Sequence, residues 1–351
     1  MRSATWEGMA NRDGSCTPEL ISLMVQLARG GVGLIITGHS YIRKEGQAGP
    51  WQLGVYRDEL IQGLTKMTEA VHKADGKIIM QLAHAGCMAP SELSGMEPFG
   101  PSVMENQKGP CCQEMTQTDI SVVIDAFAHG AVRAKNAGFD GVQIHAAHGY
   151  LLSQFLSPFF NKRTDGYGGS IENRTRIVLQ VLRHIRTSVG NDFPVLIKIN
   201  SEDFLDGGLT IDDMLHAAAL LEKAGIDAIE LSGGTVISGR LIPARTVKID
   251  TKEKEVFYKE AAKRCKKKIS VPLMLVGGIR SYEIAEQLIN NSIADYISLC
   301  RPLICEPYLI DRWKQGDTRK ARCLSDSLCF KPAREGRGLY CVREKGLKEE
   351  Y

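Results

Sequence analysis

The chain has 351 residues, too many for a small disulfide-stapled module and well within what one large α/β domain can use. Lys and Arg number 44 against 41 Asp and Glu, a net charge of +3, which excludes the basic stripe that nucleic-acid binding requires. The longest apolar runs, residues 31–37 and 195–199, fall far short of the roughly 20 residues of a membrane helix, and the start of the chain lacks a signal-peptide pattern. A cytoplasmic protein with neither membrane nor nucleic-acid partners is expected.

In chain order, short β-branched runs alternate with segments of helical periodicity, the pattern of βαβ units and a parallel sheet. Strands are predicted at Met1–Ala4, Val32–Thr37, Lys77–Leu82, Gly141–His145, Val195–Asn200, Ala228–Leu231, Leu273–Gly277 and Tyr296–Leu299. Helices are predicted at Pro18–Arg29, Asp58–Ala74, Asp119–Asn136, Glu172–Thr187, Ile211–Ala224, Lys254–Lys266, Tyr282–Asn290 and Pro307–Gln315. The junctions at Gly30-Gly31, Gly138 and Gly225 close three of these helices, where glycine suits a left-handed terminus before a tight turn into a strand.

Eight such rounds favour one (β/α)8 TIM barrel over residues 1–316, with a short C-terminal tail over 317–351. An open doubly wound sheet is the alternative, but no Gly-x-Gly-x-x-Gly turn opens it. The longest strand-to-helix segments, residues 83–118, 146–171 and 232–251, would all lie on the barrel face that carries active sites.

Cysteine usage divides the chain. Cys16, Cys87, Cys111, Cys112, Cys265, Cys300 and Cys305 are scattered, and a reducing compartment makes them small buried hydrophobes rather than a disulfide framework. Cys323, Cys329 and Cys341 crowd into the tail.

The densest polar signal follows the fourth strand, where His145, His148 and Tyr150 fall within six residues. Neutral imidazoles each offer one N–H, so the pair can grip a carbonyl oxygen and stabilise charge developing there, beside a phenol that can give a proton. The same two histidines could also form a metal half-site in a barrel hydrolase. His84 ends another strand, but no carboxylate is spaced with it in a zinc pattern, so no metal ligands are assigned.

The stretch from His145 to Arg174 resembles the signature of the Old Yellow Enzyme family, the flavin-dependent ene-reductases and their 2,4-dienoyl-CoA reductase relatives. Further matches run in order through residues 2–5, 31–38, 81–86, 276–279 and 301–304, nearly the whole chain. The resemblance implies FMN as cofactor and NADH or NADPH as reductant. It places Ser3, Ala4, Thr5 and Thr37 along the flavin ring, Gln81 on its pyrimidine, and Lys198 beneath N1 and the C2 carbonyl, where positive charge favours the reduced, anionic ring. A lysine in the run Leu196–Ile199 would otherwise be an awkward buried charge.

Gly277, Gly278, Cys300 and Arg301 match the phosphate site after strands seven and eight. His145 and His148 match the pair that binds the substrate carbonyl, and Tyr150 matches the proton donor. The implied reaction reduces an activated C=C bond of an α,β-unsaturated carbonyl compound; a flavin-binding electron-transfer or sensor protein with little such activity is the alternative. An assembly of identical chains is left open.

Three departures qualify the resemblance. Trp6 stands where relatives put a smaller group near the flavin C4 carbonyl, and is expected to wall the pocket. In the tail, Asp326 occupies the place of one of four cysteines that hold a [4Fe–4S] cluster in larger relatives, so an intact cluster is not expected, and no room is left for their additional nucleotide-binding domains. The matching first strand begins at Met1, so either a leader is missing or the barrel bottom is unusually bare.

Overall fold

The computed structural model describes residues 1–106 and 109–349. Seven parallel strands follow one another around a curled sheet: Ile35–Ile36, Ile78–Ala83, Val142–Ala146, Val195–Asn200, Ala228–Ser232, Leu273–Leu275 and Tyr296–Ile297. The eighth stave is the N-terminal segment. Arg2 bridges in parallel to both Ile35 and Leu299, its N–H donating to the Leu34 carbonyl at 2.9 Å while the Ser3 N–H donates to Leu299 at 2.9 Å. The sheet thereby closes as a barrel, as the eight-fold alternation predicts.

The predicted first strand is therefore real in pairing but shrinks to a bridge, because both its neighbours are themselves only two residues long. The strands Ile78–Ala83, Val142–Ala146 and Val195–Asn200 are buried at every position, as expected where helices cover one face and the barrel interior the other.

Helices begin where side chains cap them. Thr17 accepts from the Leu20 N–H ahead of Pro18–Arg29, and Thr116 with Asp119 and Thr210 with Asp213 form reciprocal capping boxes ahead of Gln117–Asn136 and Ile211–Lys223. The predicted helix at Lys254–Lys266 starts only at Lys259, the preceding residues forming a short 3-10 turn at Lys252–Lys254.

Inside the barrel, Ile36, Ile79, Leu196, Ala228 and Met274 form an apolar floor. Two residues further along their strands, on the same face, stand Gln81, Lys198 and Glu230, so a polar layer lies over the floor toward the carboxyl ends.

The long loops carry structure that periodicity did not predict: a hairpin pairing Met104–Asn106 with Gly109–Glu114, and a helix at Leu151–Leu156. One cysteine expectation is corrected. Cys87 and Cys112 form a disulfide with Cα atoms 5.1 Å apart, because the loop returns over residues 86–88 and sets the two side chains face to face. Among the described residues no helix is long and apolar enough to cross a membrane.

The tail folds back onto the barrel. Cys329, Ala333 and Leu339 pack with Trp6 and Met9, and the Ala321 N–H donates to the Arg280 carbonyl at 2.9 Å.

Candidate active site

A cavity of about 380 Å³ opens at the carboxyl ends of the strands. His145, His148 and Tyr150 line one wall, Ser3, Ala4 and Thr5 with Lys198 line another, and Gly277, Gly278, Cys300 and Arg301 line the far end. Thr37 and Gln81 are buried behind the lining residues, the Gln81 N–H donating back to Thr37 Oγ1 at 3.2 Å. Trp6 faces the cavity as expected, with its indole N–H buried and unpartnered.

His145 ends the strand Val142–Ala146 and points inward in register with Lys198 on the next strand. Both its ring nitrogens are buried without a partner, an arrangement that a neutral imidazole keeps only at a cost unless something else occupies the cavity. Its pKa lies well below the ordinary histidine value, first through burial and then through its neighbours His148, His39 and Lys198. His148 sits at a positive φ of 66°, a backbone state uncommon for histidine; its Nε2 lies 2.8 Å from Ser232 Oγ, and burial followed by the Lys198 charge lowers its pKa too. Both rings are therefore neutral at physiological pH. The Tyr150 ring meets His145 edge-on at 5.1 Å, and burial pushes its phenol up to about 12.

The polar layer is one connected chain. Lys198 Nζ donates to Ser3 Oγ at 2.8 Å and pairs with Glu230 at 3.1 Å; Gln143 donates to Glu230 at 2.9 Å, and Gln81 donates to Gln143 at 2.7 Å. The isolated positive charge expected at Lys198 is thus a buried ion pair. Glu230 carries the same sequence signal as Lys198, a charge inside an apolar strand, and the register sets the two opposite each other.

At the far end, Gly277 and Gly278 have φ of 119° and 77°, and a Cβ on either would come within 2.6 Å of Tyr258 or Phe257, so bare backbone faces the cavity. Arg301 is less available than expected, since its Nη1 donates to the Arg245 carbonyl, the Ser325 carbonyl and Ser327 Oγ, tying down the tail. Arg280, which sequence reasoning passed over two residues beyond the glycines, is 4% exposed and lines the cavity with Nε and Nη2 unpartnered. Unpaired guanidinium donors beside exposed backbone suit an anion, so the residues fit the phosphate of FMN.

The tail residues do not fit a [4Fe–4S] cluster. Asp326, in the place of one of the four thiolates, is a carboxylate already committed to Arg343 at 2.7 Å and to the Leu328 N–H. Among the described residues no three His, Cys, Asp or Glu side chains converge as a metal-ligand set.

Residues 3–320 match the NADH:flavin oxidoreductase / NADH oxidase family. The chain is 36% identical over 326 residues to an NADH oxidase of Thermoanaerobacter brockii, covering 90% of this chain and 48% of the relative. It is 37% identical over 299 residues to an NADPH dehydrogenase of Halalkalibacterium halodurans, covering 85% and 83% respectively. The chain thus spans about half the length of the first relative and most of the second. The solved old yellow enzyme homologue from Zymomonas mobilis superposes with a TM-score of 0.78 at 27% identity, covering 98% of this chain and 93% of that one.

Proposed function

Because the chain belongs to the NADH:flavin oxidoreductase / NADH oxidase family, whose cofactor is FMN, we propose that it passes hydride from NADH or NADPH to an activated C=C bond of a small α,β-unsaturated carbonyl compound. The observation that carries this reading is the buried His145 with both nitrogens unpartnered, set against His148 and Tyr150 in one cavity. When bound, FMN supplies hydride at the substrate's β-carbon. Ser3, Ala4, Thr5 and Lys198 would hold its ring side, with Thr37 and Gln81 supporting them from behind, and Gly277, Gly278, Arg280 and Cys300 would hold its phosphate, with Arg301 fixing the tail beside it.

The chain's own residues do the rest. One N–H from each neutral imidazole binds the carbonyl oxygen and takes up the negative charge that grows there as the β-carbon is reduced. Tyr150, a weak acid because it is buried, keeps its proton until the α-carbon has become basic enough to take it. Val236, Ile242, Pro243 and Phe257 line the same cavity with apolar side chains, which offer that charge no competing partner.

Purified protein should carry FMN, and its photoreduced form should be reoxidised under anaerobic conditions by simple enones. A preparation that holds FMN yet is reoxidised by no member of an enone, enoate and enoyl-thioester panel would overturn the reading.

The ion pair makes a separate prediction. Glu230→Gln leaves the Lys198 charge uncompensated, so the midpoint potential of bound FMN should rise by about 30 mV or more, equivalent to about 1.4 kcal/mol for two electrons. Spectroelectrochemical titration checks it, and an unchanged or lower potential would show that Lys198 does not act on the flavin.

A further inference from the structure

We propose that His39 is a positioning residue for Tyr150, donating its Nε2 proton to the phenol oxygen so that the Tyr150 proton is turned toward the substrate and the phenolate left behind is held. The inference rests on the reading of Tyr150 as the proton donor.

His39 follows the strand Ile35–Ile36, two places along the sheet from the strand that carries His145, and it lines the cavity. Its ring stacks on His145 with centroids 6.2 Å apart and meets Tyr150 edge-on at 5.3 Å and 82°. The Tyr150 hydroxyl lies 3.5 Å from His39 Nε2.

Which atom donates is fixed by Gln52, a buried amide at 1% exposure. Its Oε1 accepts the Ala48 N–H at 2.7 Å, and its Nε2 lies 2.9 Å from the His39 carbonyl and 2.7 Å from His39 Nδ1. A backbone N–H can only donate and a carbonyl can only accept, so both contacts set the amide the same way round. Gln52 therefore spends one N–H on the carbonyl and the other on Nδ1. An Nδ1 that accepts leaves the ring proton on Nε2, facing Tyr150.

The ring is also neutral. Burial, with the Lys198 charge added, lowers its pKa to about 4. The groups that face it are His145, Tyr150 and Lys198, and no carboxylate among them would favour an imidazolium.

The consequence is directional. Were Nε2 the acceptor, the Tyr150 O–H would point at His39 and away from the substrate. With Nε2–H donating, the phenol oxygen accepts from His39 and its hydrogen is free. As the proton moves, the O–H bond of Tyr150 breaks, a C–H bond forms at the substrate α-carbon, and the electron pair stays on the phenolate oxygen. His39 keeps its proton throughout, and water reprotonates Tyr150 after product leaves. At 3.5 Å the contact is long for a hydrogen bond, and it should tighten as charge develops on the oxygen.

The test uses the full FMN-loaded chain. His39→Leu should slow reoxidation by an enone about 10-fold or more and raise the Tyr150 titration, read by ultraviolet difference against Tyr150→Phe, by about one unit, while reduction by NAD(P)H stays within about twofold. His39→Gln, which restores an N–H, should recover part of both effects. Gln52→Glu supplies a second route that leaves His39 in place: near pH 8 its carboxylate draws the ring proton to Nδ1, and the Tyr150 titration should again rise. In the unaltered protein, nitrogen-15 histidine resonances should place the His39 proton on Nε2.

An Nδ1-protonated His39, or a Tyr150 titration and enone rate unmoved in both His39→Leu and Gln52→Glu, would overturn the inference. If Tyr150→Phe itself leaves enone reoxidation intact, the proton-donor reading falls, and His39 falls with it. If Tyr150→Phe is slow and His39→Leu is not, only the His39 inference falls.

Discussion

Tyr150→Phe should slow enone reduction about 100-fold while leaving reduction of the flavin by NAD(P)H within about twofold. The asymmetry follows from what each half-reaction asks of the protein. Hydride transfer from the nicotinamide needs no proton delivered to carbon, so the phenol is a bystander there. Enone reduction ends with a proton placed on the α-carbon, and without Tyr150 that proton must come from water in a cavity whose wall is largely apolar. The substitution removes one hydroxyl and keeps the ring packed edge-on against His145, so packing contributes little to the loss. Stopped-flow measurement of the two half-reactions separately checks it. Equal losses in both, or none in either, would refute the role.

The burial of Tyr150 makes this prediction sharper. A phenol pushed up to about 12 is a poor donor to anything but a strong base, so its proton stays in place while the substrate is unreduced. That ordering needs His145 and His148 to have already drawn charge onto the carbonyl oxygen, which they can do as neutral donors because burial keeps both rings unprotonated.

The barrel was legible because its signal is local: a buried parallel strand is a short β-branched run, and each covering helix is a segment of helical periodicity between two such runs. The wall formed by His145, His148 and Tyr150 was legible for the same reason, since three polar groups cluster within six residues at one strand end. What was not legible depends on meetings between distant segments. Lys198 stood out as a buried charge, but its partner Glu230 is on the next strand, and only the register reveals the pair. His39 is a lone histidine in sequence, and Gln52, which sets its tautomer, lies in a loop with no regular pattern. Cys87 and Cys112 read as two unremarkable small residues until the loop between them closes. The tail looked like an appendix, yet Ser325, Phe330 and Arg334 line the same cavity as His145.

The same distance effect exchanged the two arginines at the far end of the cavity, and the exchange can be measured. Arg301 sits at the matched position, but its Nη1 serves three oxygen atoms of residues 245, 325 and 327. Arg280 has its backbone fixed, the N–H donating to Glu255 at 2.7 Å, while Nε and Nη2 remain unpartnered. A guanidinium held that way has already met much of the ordering and desolvation cost of binding an anion. Arg280→Leu should therefore weaken FMN about 100-fold, or about 2.7 kcal/mol, the scale of one to two charge-assisted hydrogen bonds. Arg280→Lys should recover only part, because an ammonium supplies charge without the two-pronged fork. Riboflavin, which lacks the phosphate, is the discriminating ligand. Fluorescence titration should show its affinity unchanged in Arg280→Leu, whereas Arg301→Leu, by freeing the tail that lines the cavity, should weaken FMN and riboflavin together. A parallel loss of both ligands in Arg280→Leu would mean that Arg280 supports the fold of the cavity rather than the phosphate.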